Sequence, residues 1–220
     1  GEEVPDPAAR VQVFDYAKPK PTQWPRAEFI VGNPPFIGLR NIRKAYADGY
    51  LEALRGAYPK VPENADYVMY WWEKAALAAR GFDRAKNKGT RRFGLITTNS
   101  IKQSFNRAVT SLHLGDTKTP LSLLFAIPDH PWIDASDGAA VRIAMSVGAK
   151  GQREGRLVEV VKEIEGSGEN EGALCEFLTS TGTIYPDFRI GADLLATRSL
   201  QANQKLSSVG YQLTGKGFLL

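Results

Sequence analysis

Asn33, Pro34, Pro35 and Phe36 put an amide, two carbonyls and an aromatic ring on one short stretch of chain. Each proline holds φ near its fixed value and lacks an N–H, so the turn is stiff and the carbonyls of Asn33 and Pro34 are left pointing outward. The Asn33 side-chain oxygen and the Pro34 carbonyl can both accept hydrogens from an exocyclic amino group on a flat heterocycle, while Phe36 offers its face for stacking. Accepting both protons makes the amino nitrogen a better nucleophile without a strong general base. The structural alternative for the same four residues is a Pro-Pro turn that buries a phenylalanine.

The elements that must position this corner can be read around it. Ala27 to Val31 (AEFIV) predicts a buried strand, cut off by Gly32 and the two prolines. A helix is predicted from Asn41 to Tyr58, and Arg40, Arg43 and Lys44 at its start suit phosphate contacts or a solvated helix face. Asn64-Ala65-Asp66 opens a second helix with Asp66 as its N-cap, and its Tyr67, Tyr70, Trp71 and Trp72 are expected to pack on a sheet. RGFDRAKNKGTRR then sets six basic residues against one acid and predicts a mobile surface loop, with a nucleic-acid-facing role as the alternative. Phe93 to Thr97 reads as a buried strand, Thr98-Asn99-Ser100 as a cap, and Ile101 to Leu112 as a helix. Strands over Leu121–Ile127 and Ala139–Val147 flank PDHPWIDASDG, a connection longer than a hairpin needs. Two further strands are expected: RVQVFDY, ending in Asp15 at the front of the chain, and LVEVVKEIE beyond Gly151. GSGENEG at 166–172 reads as a flexible insertion.

Four segments carry a family resemblance in this order: AEFIVGNPPFIG, DGYLEALRGAYPKVPENADYVMYWWEKAA, RRFGLITTNSI and LSLLFAIPDHPWIDASDGAAVRIAMSVG. Together they resemble the catalytic motifs of amino-group, adenine-specific DNA methyltransferases, most closely the MmeI-like single-chain restriction-modification enzymes. The resemblance implies an α/β fold: part of a Rossmann-like methyltransferase, with a mixed sheet ending in an antiparallel hairpin and without the first cofactor-binding strands. It implies residues 1–150 as the C-terminal half of a catalytic domain and 151–220 as strands leading into a target-recognition region. S-adenosylmethionine would be the methyl donor, and the acceptor would be N6 of an adenine flipped out of double-stranded DNA.

By the same resemblance Asn33, Pro34, Pro35 and Phe36 are catalytic. Asp15 would approach the cofactor's adenine, and Asp66 and Tyr67 would lie near the cofactor. Trp132, with His130 second, would stack on the opposite face of the base. The cation group Arg40, Arg43 and Lys44 would touch DNA. The chain starts with Gly, and no Gly-rich loop precedes the signature, so a fragment is expected whose missing N-terminal part is needed for tight cofactor binding and activity. Two other classes stay open: a protein glutamine methyltransferase using the same corner on a side-chain amide, and a non-catalytic DNA-binding or specificity portion of a restriction enzyme.

Composition sets outer bounds. With 28 basic and 24 acidic residues the net charge is +4, compatible with a polyanionic partner without establishing one. Cys175 is alone, which excludes an internal disulfide, and two histidines without Cys pairs argue against a zinc site. No apolar run approaches the ~20 residues of a membrane span, and no signal peptide is visible, so a reducing cytoplasm is the expected location.

Overall fold

The computed structural model describes residues 16–132, 141–164, 174–192 and 197. Asp15, residues 133–138 of the predicted loop, 139–140 of the strand predicted after it and the 166–172 insertion lie outside the described residues. The elements are β1 (Phe29–Gly32), α1 (Leu39–Ala57), α2 (Val68–Arg80), β2 (Arg92–Thr98), a 3-10 turn (Asn99–Lys102), α3 (Ser104–Leu114), β3 (Leu121–Trp132), β4 (Val141–Lys150), β5 (Gly155–Ile164) and β6 (Leu174–Gly182). The strands form one mixed sheet in the order β1-β2-β4-β3-β5-β6. β1 runs parallel to β2, whereas β4 is antiparallel to both β2 and β3. The C-terminal ends of β1, β2 and β3 therefore lie at one end of the sheet. This is the α/β mixed sheet with an antiparallel hairpin that the motif order implies.

Packing follows the sequence periods. β2 alternates so that Phe93, Leu95 and Thr97 are buried, and α2 lays Val68, Met69, Trp72, Ala75, Ala76 and Ala79 against the core. The alanines let the helix lie close, and Trp72 meets Phe93 edge to face at 5.3 Å. Gly148 faces Phe93 across the ladder, where a β-carbon would sit 2.3 Å from the ring. Gly155 is equally constrained, since its β-carbon would fall 2.0 Å from the Leu123 carbonyl oxygen. β5 can reach β3 only because that position lacks a side chain. Ile184 and Phe188 beyond β6 join the same core.

A chain of polar groups runs through this core between α2 and α3. His113 Nε2 lies 2.5 Å from Glu73 Oε2, both side chains being almost fully buried, and Arg80 Nη1 donates to His113 Nδ1 at 3.0 Å. A guanidinium can only donate, so Nδ1 accepts, and the Nε2 proton faces the Glu73 carboxylate. Arg80 also pairs with Asp116, whose Oδ1 accepts from the Thr119 and Lys118 N–H groups at 2.7 and 2.9 Å. Those bonds, the Thr119 one first, hold the Asp116 carboxyl down at about 2.

Several sequence expectations are corrected. β1 is not buried: Phe29 is 54% and Val31 86% exposed, because among the described residues only β2 pairs with it. Asp66 does not cap α2, which begins at Val68 without a side-chain cap. Its carboxylate instead accepts from Ser100 Oγ and Asn106 Nδ2, both at 2.7 Å, tying the start of α2 to α3. Ser100 is thereby occupied, Thr98-Asn99-Ser100 runs into the 3-10 turn, and α3 starts only at Ser104. Long-range partners displaced the local caps. β3 continues through His130, Pro131 and Trp132, paired with Ile143, Arg142 and Val141, so the first part of the predicted loop is strand. The basic segment between α2 and β2 closes as a turn in which Asp83 and Lys88 exchange backbone hydrogen bonds of 2.9 and 3.0 Å. It leads into the N-terminal end of β2, opposite the end that carries Asn33.

Candidate active site

β1 ends at Gly32, and the next four residues are split between anchor and display. Pro34 is buried and Phe36 half-buried against the core, whereas Asn33 and Pro35 are exposed. The Ile37 carbonyl accepts the Tyr67 N–H at 3.3 Å, which fixes the far side of the turn to the start of α2. Tyr67 is itself held by a 2.7 Å hydrogen bond between its hydroxyl and that of Tyr50. Burial, then that bond, raises its pKa well above the ordinary tyrosine value. Among the described residues the Asn33 side chain has no hydrogen-bond partner. A free amide on a rigid turn is therefore presented outward.

Beside it lies a cavity of about 460 Å³, lined by Asn33, Pro34, Pro35, Phe29, Val31, Leu95, Trp24 and Trp71. Such a volume falls in the range of small-molecule sites, and its walls are mostly apolar with few polar groups. Trp24 stacks on Trp71 with centroids 5.9 Å apart, and the Lys74 ammonium caps Trp24 at 4.4 Å from its ring centre. Burial lowers the Lys74 pKa from its usual value. A second cavity of about 210 Å³ adjoins the same two tryptophans and is bordered by Tyr50, Tyr58, Tyr67 and Tyr70.

The family model of the MmeI DNA-methyltransferase domain matches residues 4–159, most of the chain and the whole of this site. The chain belongs to the MmeI DNA-methyltransferase family. Among solved structures it is similar to the Type IIL restriction-modification enzyme MmeI in complex with DNA, at 25% identity and a TM-score of 0.50. That alignment covers 76% of this chain and 20% of the other, so the chain spans about a fifth of that enzyme's length. A modification subunit ascribed to a type I restriction enzyme of Vibrio vulnificus YJ016 aligns at 14% identity and a TM-score of 0.43, over 62% of this chain and 26% of that one. No curated relative matches the sequence.

Within this MmeI-family domain the structure sorts the sequence-derived residues. Asn33, Pro34 and Pro35 line the larger cavity, Tyr67 borders the smaller one, and Phe36 lines neither but is half-buried against the core. Arg40, Arg43 and Lys44 fall in the first turns of α1, directly after the corner, and their side chains are not among those described. Asp66 has its carboxylate engaged by Ser100 and Asn106. Trp132 is 39% exposed at the end of β3, toward the same end of the sheet as Asn33 but three strands across from β1 and six residues beyond Ala126, which lies level with Gly32 through Leu95 and Ser146. His130 is occupied elsewhere: its ring stacks on Phe177 of β6 at 5.9 Å, and its Nδ1–H donates to the Pro131 carbonyl at 2.7 Å. Sequence reasoning missed Trp24 and Trp71. The signal was present, since positions 68, 69, 72, 75, 76 and 79 make the core stripe of α2, and Trp71 and Lys74 fall off it.

Proposed function

We propose that the chain is the catalytic part of a restriction-modification DNA methyltransferase that methylates N6 of an adenine flipped out of duplex DNA, with S-adenosylmethionine as donor. The observation that carries this reading is the exposed, unpartnered Asn33 amide, anchored through buried Pro34 beside an open cavity of about 460 Å³. Family membership supports the methyltransferase class, and the similar MmeI structure holds DNA.

The residues fit an adenosyl-type ligand, because the cavity offers aromatic walls next to the corner. Trp24, Phe29 and Trp71 would hold it, with Tyr67 at the border of the adjoining space and Asp15 as a further residue proposed for the cofactor side; the Asp66 carboxylate, bound to Ser100 and Asn106, lines neither cavity. S-adenosylmethionine supplies an electrophilic methyl on a sulfonium centre when bound. Flipping the nucleotide costs a few kcal/mol of stacking and pairing, which contact with Phe36 would offset. The Asn33 side-chain oxygen and the Pro34 carbonyl would accept the two amine hydrogens and turn the nitrogen lone pair toward the methyl group. Once methylated, the nitrogen would shed one of its protons to solvent, with the Asn33 and Pro34 oxygens still holding the amine in place. Because both acceptors sit on a turn stiffened by two prolines, the contribution is chiefly preorganised positioning.

The test uses the complete natural protein with methyl-labelled S-adenosylmethionine, offered duplex DNA or a glutamine-containing peptide. Label in N6-methyladenine is the expected result. Label confined to the peptide, or to neither, overturns the reading.

A further inference from the structure

Residues 185–189 fold into a turn held by Tyr185 N–H to the Arg189 carbonyl (2.9 Å) and Phe188 N–H to the Tyr185 carbonyl (2.8 Å). Phe188 sits at φ 60°, in the left-handed region that bulky residues avoid, and yet is 1% exposed. Its buried ring, with the Thr110 hydroxyl on the Pro186 carbonyl at 3.4 Å, clamps the turn onto α3. The consequence is a cleft of about 400 Å³ into which Arg189 from the turn, Arg107 from α3 and Lys102 from the end of the 3-10 turn all converge.

Those cations are under-used. Arg80 and Arg142 are each paired with carboxylates, but among the described residues the side chains of Arg107 and Arg189 have no acidic or hydrogen-bonding partner. Among the described residues Lys102 reaches only Asp129, at 3.9 Å. Glu159 and Asp187 also line the cleft, and the Asp187 Oδ1 atom is buried without a partner, while Arg189 is exposed. Among the described residues Arg107 and Arg189 therefore keep unpaired charges at a cleft that also holds these two carboxylates. The cleft opens where Lys102 follows β2 and Pro128 approaches the C-terminal end of β3, the same end of the sheet as Asn33.

We propose that Lys102, Arg107 and Arg189 form a phosphate-binding cleft that seats the DNA backbone several base-pair steps from the flipped nucleotide. This rests on the DNA methyltransferase reading and assigns part of its DNA register to residues beyond position 100. Phosphate contacts of this kind fix register without reading sequence. They also release counterions, so they show in the salt dependence of binding.

Duplex binding by the complete natural protein is measured across a salt series for the unaltered chain, for Arg107→Ala with Arg189→Ala, and for the paired Lys replacements. The double Ala variant is expected to flatten the log–log salt slope by about 2 and to weaken binding equally for duplexes of different sequence. The Lys pair is expected to restore the slope. If the double variant does not fold, each single Ala change is read for a slope change of about 1. An unchanged slope overturns the cleft, as does a loss that depends on DNA sequence or a stronger preference for an acidic peptide than for DNA. Methylation assayed in parallel separates the two ideas: label in DNA with an unchanged slope refutes the cleft alone, whereas no label in DNA refutes the reading beneath it.

Discussion

Asn33 and Asn106 are the same residue in two opposite settings. Asn106 is 5% exposed, and its Nδ2 donates to Asp66 Oδ2, the Ser100 carbonyl and Ser100 Oγ at 2.7, 3.1 and 3.0 Å, while its Oδ1 accepts the Asp66 N–H at 2.8 Å. Asn33 is exposed, uses none of its hydrogen-bonding capacity on the described residues, and stands on a turn with a buried proline beneath it. A buried and saturated amide stabilises a fold, because removing it strands its partners. A rigid and unsatisfied amide at a cavity adds nothing to stability that water would not replace. Its partner must come from outside.

The contrast can be broken or sharpened by substitution. Asn33→Ala is expected to lower kcat by about 100-fold or more, the scale of losing one positioned catalytic hydrogen-bonding group. Its melting temperature should stay within about a degree, as for a surface change. Steady-state kinetics and a thermal melt read both on one preparation, and a destabilised but active variant would reverse the assignment. Asn106→Ala is expected to do the converse, costing about 1–3 kcal/mol in chemical denaturation because the Asp66 N–H loses its partner and the Asp66 carboxylate one of its two donors. Trp71→Ala removes one wall of the larger cavity and the stacking partner of Trp24. An increase of about fivefold in KM for the methyl donor with kcat little changed is expected, consistent with a lost aromatic contact of about 1 kcal/mol.

The smallest effect concerns acid stability. The folded Asp116 carboxyl titrates at about 2, below its ordinary 3.8. A depressed carboxyl contributes stability that is complete above its unfolded value and lost as pH falls through the folded one. Denaturation curves should therefore show this contribution intact down to about pH 4 and disappearing toward pH 2, and Asp116→Asn should flatten that part of the profile.

Much of the fold was legible because the periods are strong. The continuous apolar run of β2, the helical pattern of α2 and the runs of β3, β4 and β5 each declared their element. What the sequence hid was partner choice. Nothing local tells that Asp66 will bridge to Ser100 and Asn106 rather than cap its own helix, since the competing donors come from 34 and 40 residues away. The exposure of Val31 was equally hidden, because an apolar β-former reads as buried until its neighbouring strands are counted. The corner itself was legible from four residues, since proline stiffness and amide chemistry do not depend on distant partners. Its tryptophan wall was not, because Trp24 belongs to a proline-studded link with no period to place it.

Single-turnover methyl transfer to duplex DNA, run side by side on the complete protein carrying Asn33→Ala or Asn106→Ala at a temperature where both are folded, tests the central distinction most directly. The expected result is a rate within about threefold of the unaltered protein for the Asn106 variant and no measurable transfer for the Asn33 variant. Transfer that persists without the Asn33 amide would contradict the assignment of this corner as the catalytic centre.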